Sequence, residues 1–161
     1  MTSVFRSGAL VTTTTLATGR SRSISELYAE VQQFYAGQVR LLDTMQADAF
    51  ADSFTEDGVF DHRPGADPLV GRAAISAAIR AYQETKHAVD PVQRRHWFNM
   101  VQVFPQDDGS IRTEYYAVVY QTRPNVSEPL VGPSCFVTDV LEFEGDELRT
   151  RFRKVSPDYE V

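Results

Sequence analysis

"RRHWFNMVQVF", residues 94–104, is the stretch at which the chain changes period, and its reading decides the fold. Upstream of it, apolar residues recur every three or four positions. From Arg94 onward they crowd into short runs dense in β-branched and aromatic side chains, as strands do. If the run alternates, His96, Phe98, Met100, Gln102 and Phe104 share one face, and Trp97, Asn99, Val101 and Val103 share the other. Both faces carry apolar groups, so both are expected to be covered. His96 is then partly buried beside Phe98 and Met100, and burial disfavours an imidazolium unless a carboxylate supports it. Two readings stay open here: a packed imidazole satisfied by a backbone carbonyl, or a base at the mouth of a pocket.

Downstream, "IRTEYYAVVYQTR" (111–123), "SCFVTDVLEFE" (134–144) and "ELRTRFRKV" (147–155) continue the strand pattern. "PQDDGS" and "EGDE" read as hairpin turns, and "PNVSEPLVG" as a longer loop. Upstream, "SISELYAEVQQFYAGQVRLLDTMQ" (23–46) opens with a capping box of Ser23 and Glu26. It carries Ile24, Tyr28, Val31, Tyr35, Val39 and Leu42 at helical spacing, widened by Leu27 and Phe34. "ADAFADSF" predicts a second, short helix, "DGVFDHR" a first strand, and "PGADPLVGRAAISAAIRAYQETKH" (64–87) a third helix with Ile75, Ala78, Ile79 and Tyr82 on one face. Three helices ahead of most of the sheet predict an α+β fold: a curved, mostly antiparallel sheet forming a cone-shaped barrel wrapped around three N-terminal helices. Such a cone encloses a cavity.

Residues 23–161 read as a single domain, and residues 1–22, "MTSVFRSGALVTTTTLATGRSR", as a flexible tail with no membrane span or signal-peptide core. The threonine run has high strand propensity, so the tail is alternatively a strand that pairs with a sheet edge or covers a partner subunit. The 161 residues, 42% of them hydrophobic and 24% charged, suit one soluble domain, expected in the cytoplasm. A net charge of −6 opposes nucleic acid or an anionic membrane as partner, since both demand a positive face. Cys135, the only cysteine, excludes an internal disulfide and reads as a buried structural thiol.

No glycine-rich phosphate loop, His-Glu-x-x-His, paired cysteines or Gly-x-Ser-x-Gly elbow is present. His62, His87 and His96 lack ligand spacing, so neither a metal nor a cofactor is expected. His87 ends the third helix, where a cation suits the dipole, and reads as a cap. Asp43, near the end of the long helix, lies roughly 80° from the centre of its apolar stripe, on the border of the buried face. An acid at a helix C-terminus is slightly unfavourable, and a basic group in the cavity would account for it. Tyr116 and Tyr120 share a strand face with Glu114 and Val118; each is read either as core packing or as a hydroxyl donor to an oxyanion. Asp139, on the face of Cys135, Val137 and Leu141, needs a partner from Arg149, Arg151 or Arg153; a structural ion pair is the first reading and a proton donor in the pocket the second.

"FYAGQVRLLDTMQADAFADSFTEDGVFDHR" (34–63), "GRAAISAAIRAY" (71–82), "RRHWFNMVQV" (94–103) and "DVLEFEGDELRTRFRKVSPD" (139–158) together resemble the SnoaL-like branch of the nuclear transport factor 2 fold. That branch includes polyketide cyclases, scytalone dehydratase and the small subunits of aromatic-ring-hydroxylating dioxygenases. The resemblance covers residues 24–158. It implies a cone-shaped pocket with an Asp-His pair, which falls on Asp43 and His96, and a homodimer through the sheet. His62 stands where dehydratase-like members carry a tyrosine, and that dehydratase's second catalytic histidine has no counterpart, Tyr115, Tyr116 and Tyr120 standing in that region instead.

What the resemblance implies is a cofactor-free polyketide tailoring enzyme that cyclises, dehydrates or isomerises an aromatic or polycyclic ketone. Asp43 and His96 are the candidate catalytic pair, and His62, Phe98, Met100, Tyr116, Tyr120 and Asp139 the candidate substrate contacts. The rival readings are a non-catalytic dioxygenase small subunit and a ligand-binding accessory protein of biosynthesis.

Overall fold

In the computed structural model, which describes residues 13–15 and 21–160, β1 (Thr13–Thr15) and β2 (Ser21–Ser23) pair as a short antiparallel ribbon. The rest of the segment read as a tail lies outside the described residues. Arg22, in β2, packs its guanidinium 4.3 Å over the Phe143 ring and pairs with Glu30 at 2.9 Å, so the ribbon is tied to the domain.

Ser23 closes the capping box: its hydroxyl accepts the Glu26 N–H, and its own N–H donates to the Glu26 carboxylate at 2.8 Å. The helix it opens, α1 (Ile24–Asp43), buries Leu27, Val31, Tyr35 and Gln38. The buried stripe is rotated from the expected one, because Ile24 and Tyr28 are exposed and a glutamine takes a core position. After α2 (Ala47–Asp52), the chain enters β3 (Phe54–Asp61), which begins three residues before the expected strand and draws Phe54 out of the expected helix. Phe54 is wholly buried there against Phe50 and Phe60, which tertiary packing favours over local propensity. A two-residue edge strand, β4 (Leu69–Val70), lies within the segment read as a turn before the third helix.

Gly71, at φ +81°, turns the chain into α3 (Arg72–Tyr82), which continues as one π-helical turn to His87. His87 Nδ1 accepts the Val92 N–H at 3.4 Å and so ties the helix end to the chain entering the sheet. Four long strands follow: β5 (Gln93–Pro105), β6 (Ile111–Thr122), β7 (Leu130–Glu144) and β8 (Glu147–Pro157). The sheet order is β4-β3-β8-β7-β6-β5, antiparallel except where β3 runs parallel to β8. The sheet curves without closing, with β4 and β5 as its edges.

Register shifts mark the curvature: between Asn99 and Gln102 in β5, Val118 and Tyr120 in β6, Val140 and Leu141 in β7, and Phe54 and Val59 in β3. The first of these corrects the expected alternation of β5. Met100 adopts φ +55° and is 68% exposed, and the extra residue turns Val101 and Val103 to the inner face. Met100 therefore faces solvent and does not line a pocket.

The concave face and α1 enclose one core of Leu27, Val31, Tyr35, Val101, Ile111, Tyr115, Val137 and Leu141. A second joins α2, β3 and α3 through Phe50, Phe54, Phe60, Ile75 and Ile79. Val155 of β8 packs against both. Gly58, at the β3 shift, is held by close packing: an added Cβ would sit 2.9 Å from Phe54 Cβ and 3.0 Å from the Thr150 carbonyl oxygen. Gly58→Ala is accordingly expected to cost about 1–3 kcal/mol, the usual range for overpacking, read as a lower urea midpoint at unchanged slope.

Candidate active site

The last residue of α1 meets the inner face of β5. His96 Nδ1 lies 2.5 Å from Asp43 Oδ1, and the His96 backbone N–H donates to both carboxylate oxygens at 3.3 Å. Both side chains are largely buried, with 15% exposure left for His96 and 7% for Asp43. In the neutral tautomer whose Nδ1–H donates to Asp43, Nε2 is the ring nitrogen left to accept. The pairing places this contact at one end of the sheet: Phe98, Ala117, Cys135 and Pro157 form a row across four strands, and His96 lies one step beyond it toward the rim.

Deeper in the cone, Asp139 is fully buried and bound by Arg153 through Nε to Oδ1 at 2.9 Å and Nη2 to Oδ2 at 2.6 Å. Tyr35 donates to Oδ2 at 2.9 Å, Tyr115 donates to it at 3.2 Å, and Thr113 meets the Tyr35 oxygen at 2.5 Å. Arg153 Nη2 also donates to Gln38 Oε1, whose amide nitrogen donates to Ser53 and Thr150. Burial and the adjacent Asp139 charge raise the Tyr35 hydroxyl well above the usual phenol range, and burial does the same to Tyr115. Burial opposes the Arg153 charge, but Asp139 outweighs it and holds the guanidinium above its ordinary range.

The proposed contacts divide. Phe98 is on the inner face, 4.6 Å from the Tyr115 ring and 5.8 Å from that of Tyr35. His62 stacks on Phe60 at 4.3 Å, and burial lowers its pKa from the usual histidine value. Tyr116 and Tyr120 stand on the outer face: Tyr116 is 59% exposed and packs near Phe136, and Tyr120 packs on Trp97 at 5.0 Å. An outer-face hydroxyl cannot reach an oxyanion in the cone, and its neighbour Tyr115 is the tyrosine that points inward. Sequence reasoning missed Tyr35, Gln38, Thr113 and Tyr115 as members of the polar cluster; the polar Gln38 within the helical buried face was the available signal. Arg94 lies 4.3 Å over the Tyr82 ring, a packing role at the strand start.

Two clefts lie nearby. One, of about 400 Å³, is lined by Asp61, Arg63, Gly65, Lys154, Val155 and Pro157 among others, and a second, of about 340 Å³, lies between α1, α2 and β8. Neither counts Asp43 or His96 in its lining, and the pair keeps only its small residual exposure. Among the described residues no three His, Cys, Asp or Glu side chains are grouped to hold a metal ion, and no helix is long and apolar enough to cross a membrane.

A curved sheet folded over three helices is the architecture of NTF2-like proteins with a cystatin-like fold. One from Novosphingobium aromaticivorans superposes with a TM-score of 0.67 at 20% identity, covering 84% of this chain and 90% of that one. The chain belongs to the SnoaL-like domain family, which matches residues 23–154. ActVI-ORFA from Streptomyces coelicolor is 38% identical with a TM-score of 0.76, covering 83% of this chain and 98% of that one. A Catenulispora acidiphila protein solved in complex with S-DNPA is 41% identical with a TM-score of 0.75, the alignment spanning 84% and 96% of the two chains. Aln2, from a Streptomyces species, is 39% identical with a TM-score of 0.76 over 84% and 93%. No curated protein sequence matches the chain significantly.

The buried cluster predicts a large, asymmetric cost. Arg153→Met strands the Asp139 carboxylate and is expected to remove about 3–5 kcal/mol of stability. Adding Asp139→Leu is expected to restore part of it, measured by chemical denaturation of both variants.

Proposed function

We propose that the protein is a cofactor-free polyketide tailoring enzyme acting on an aromatic or polycyclic ketone by proton transfer, with cyclisation, dehydration or isomerisation as the outcome. The contact of His96 Nδ1 with Asp43 at 2.5 Å carries this reading, because it leaves Nε2 free to accept a proton at a semi-buried rim. Asp43 orients the ring and balances the charge that develops on it. Phe98, adjacent on the inner face, supplies an apolar wall. Membership of the SnoaL-like family, likeness to ActVI-ORFA and Aln2, and the small molecule bound by the Catenulispora protein support a small-molecule substrate.

His96→Ala is expected to lower turnover of a polycyclic ketone by roughly 10²–10⁴-fold, the range of a general base. Asp43→Asn is expected to lower it at least tenfold by presenting the wrong tautomer. The measurement is the change of ketone absorbance with time, with circular dichroism as the fold control; unchanged conversion by both folded variants overturns the assignment.

We further propose that two copies pair through the outer face of the sheet in the cytoplasm. Trp97, at 61% exposure, Tyr116 and Phe136 make an apolar surface there, continued by the exposed Leu130 and Val131 of β7. Charged substitutions at its centre, Trp97→Glu with Tyr116→Glu, are expected to yield a folded monomer in sedimentation velocity. A wild-type protein that is itself monomeric, or a variant that still dimerises, overturns the pairing.

A further inference from the structure

Arg94 is the inner-face residue one step nearer the start of β5 than His96. From Gln93 to Phe98 exposed and half-buried residues alternate, which puts Arg94, His96 and Phe98 on the inner face and sends Arg95 outward. The Arg94 guanidinium lies 4.3 Å over the ring of Tyr82, the last residue of α3. That stacking holds the group in place without satisfying it. Its Nε is shut off from water and has no hydrogen-bond partner, and among the described residues the guanidinium forms neither a hydrogen bond nor an ion pair. Arg149 has an Nε in the same condition, but its terminal nitrogens donate to Glu147 and to the Leu148 carbonyl. An arginine donor kept from water without an acceptor carries a cost that a bound oxygen would remove.

Tyr116 and Tyr120, the hydroxyls that the sequence offers as oxyanion donors, stand on the outer face, so that role falls to another group. We propose that Arg94 fills it, donating from its guanidinium to the ketone oxygen while His96 removes a proton from the adjacent carbon. This rests on the proton-transfer reading of His96. In that step the C–H bond breaks toward Nε2, its electron pair forms the C=C bond of an enolate, and the carbonyl π pair moves onto oxygen. The spacing suits both contacts. Residues two apart on one strand face have Cα atoms about 7 Å apart. A base contact of about 3 Å, roughly 2.4 Å from the reacting carbon to the oxygen, and a hydrogen bond of about 2.9 Å cover that span along a bent path. The charges then alternate, with Asp43 facing the new imidazolium and Arg94 facing the new enolate, so neither is left unmatched. An arginine stays cationic throughout, and its stacking on Tyr82 fixes the fork before the substrate arrives.

The test uses the intact protein with 4-nitro-1-naphthol, held above its pKa as the naphtholate, and with its methyl ether. The naphtholate carries an oxyanion on a flat ring, as the enolate does, and affinities are read by equilibrium dialysis. The wild type is expected to bind the naphtholate roughly tenfold more tightly than the ether, the scale of one charge-assisted hydrogen bond. Arg94→Met, which keeps an apolar arm against Tyr82, is expected to bring the two affinities together while ether affinity holds, and Arg94→Lys to restore part of the preference. With a polycyclic ketone, Arg94→Met is expected to lower kcat about 10²-fold at little-changed KM, as loss of one oxyanion donor does. His96→Ala is expected to lose turnover and keep the naphtholate preference, so failure of the base assignment is told apart from failure of the oxyanion site. Equal binding of naphtholate and ether by the wild type, or a preference that survives in folded Arg94→Met, overturns the proposal.

Discussion

Asp139 and Arg153 form a charge pair removed from water, and the seating of the helix on the sheet depends on how the pair is satisfied. Taking two ions into a protein interior costs several kcal/mol each, and their attraction offsets this only when the remaining lone pairs and protons find partners. Here the partners come from every surrounding layer: Tyr35 and Gln38 from α1, Tyr115 from β6, and Ser53 and Thr150 beyond Gln38. A rotated α1 would withdraw Tyr35 and Gln38 together and leave the charges exposed to an apolar interior. The helix therefore turns Leu27, Val31, Tyr35 and Gln38 inward, although Ile24 and Tyr28 extend an apolar stripe on another side. Asp43 sits eight residues past Tyr35, about 12 Å along the helix axis, and reaches β5 because this rotation is set.

The second constraint is parity along the strands. A regular strand shows alternate residues to one face, so a single inserted residue exchanges every later side chain between core and solvent. In β5 the insertion falls at Asn99 and Met100, after His96 and Phe98 have been committed to the inside. Val101 and Val103 then join the core, and the strand bends where the cone must curve. In β7 the step is relieved at Gly132, where an added Cβ would come 2.9 Å from the Val119 carbonyl oxygen, so the close approach of β6 and β7 there demands the absence of a side chain.

These two constraints explain what the sequence discloses. Element order, the Ser23 cap and the change of period at residue 94 are local signals, carried by neighbours in the chain, and they match the observed elements. The inner and outer roles of Met100, Tyr115 and Tyr116 depend on bulges and on which face the helices cover, and neither leaves a mark in the alternation itself. Phe54 looks helical among its neighbours and becomes a strand residue because Phe50 and Phe60 surround it. Gln38 looks like a surface residue within an amphipathic pattern and acquires its position from Arg153, 115 residues away in the chain. The juxtaposition of Asp43 with His96 is also long-range: an acid out of place at a helix C-terminus calls for a basic partner in the cavity, and the resemblance to a family is what names His96 as that partner.

Asp43 is the residue whose placement folding alone does not explain. It lies at the negative end of the α1 dipole and is nearly withdrawn from water, two circumstances that each oppose a carboxylate. Arg40 in the last turn suits the dipole, and Thr44 satisfies the Arg40 carbonyl at 2.8 Å, so the helix has a sound ending without an acid. Among the described residues the carboxylate has His96 alone as hydrogen-bond partner, through one ring nitrogen and one backbone N–H. A pair of apolar side chains of similar volume would fill the same space at lower cost. In the proposed reaction the imbalance becomes useful: as the imidazole takes up a proton at Nε2, a fixed negative charge already faces the ring, and neither group has to move to meet the new positive charge. The strain carried at the end of α1 is then a consequence of placing that charge in advance.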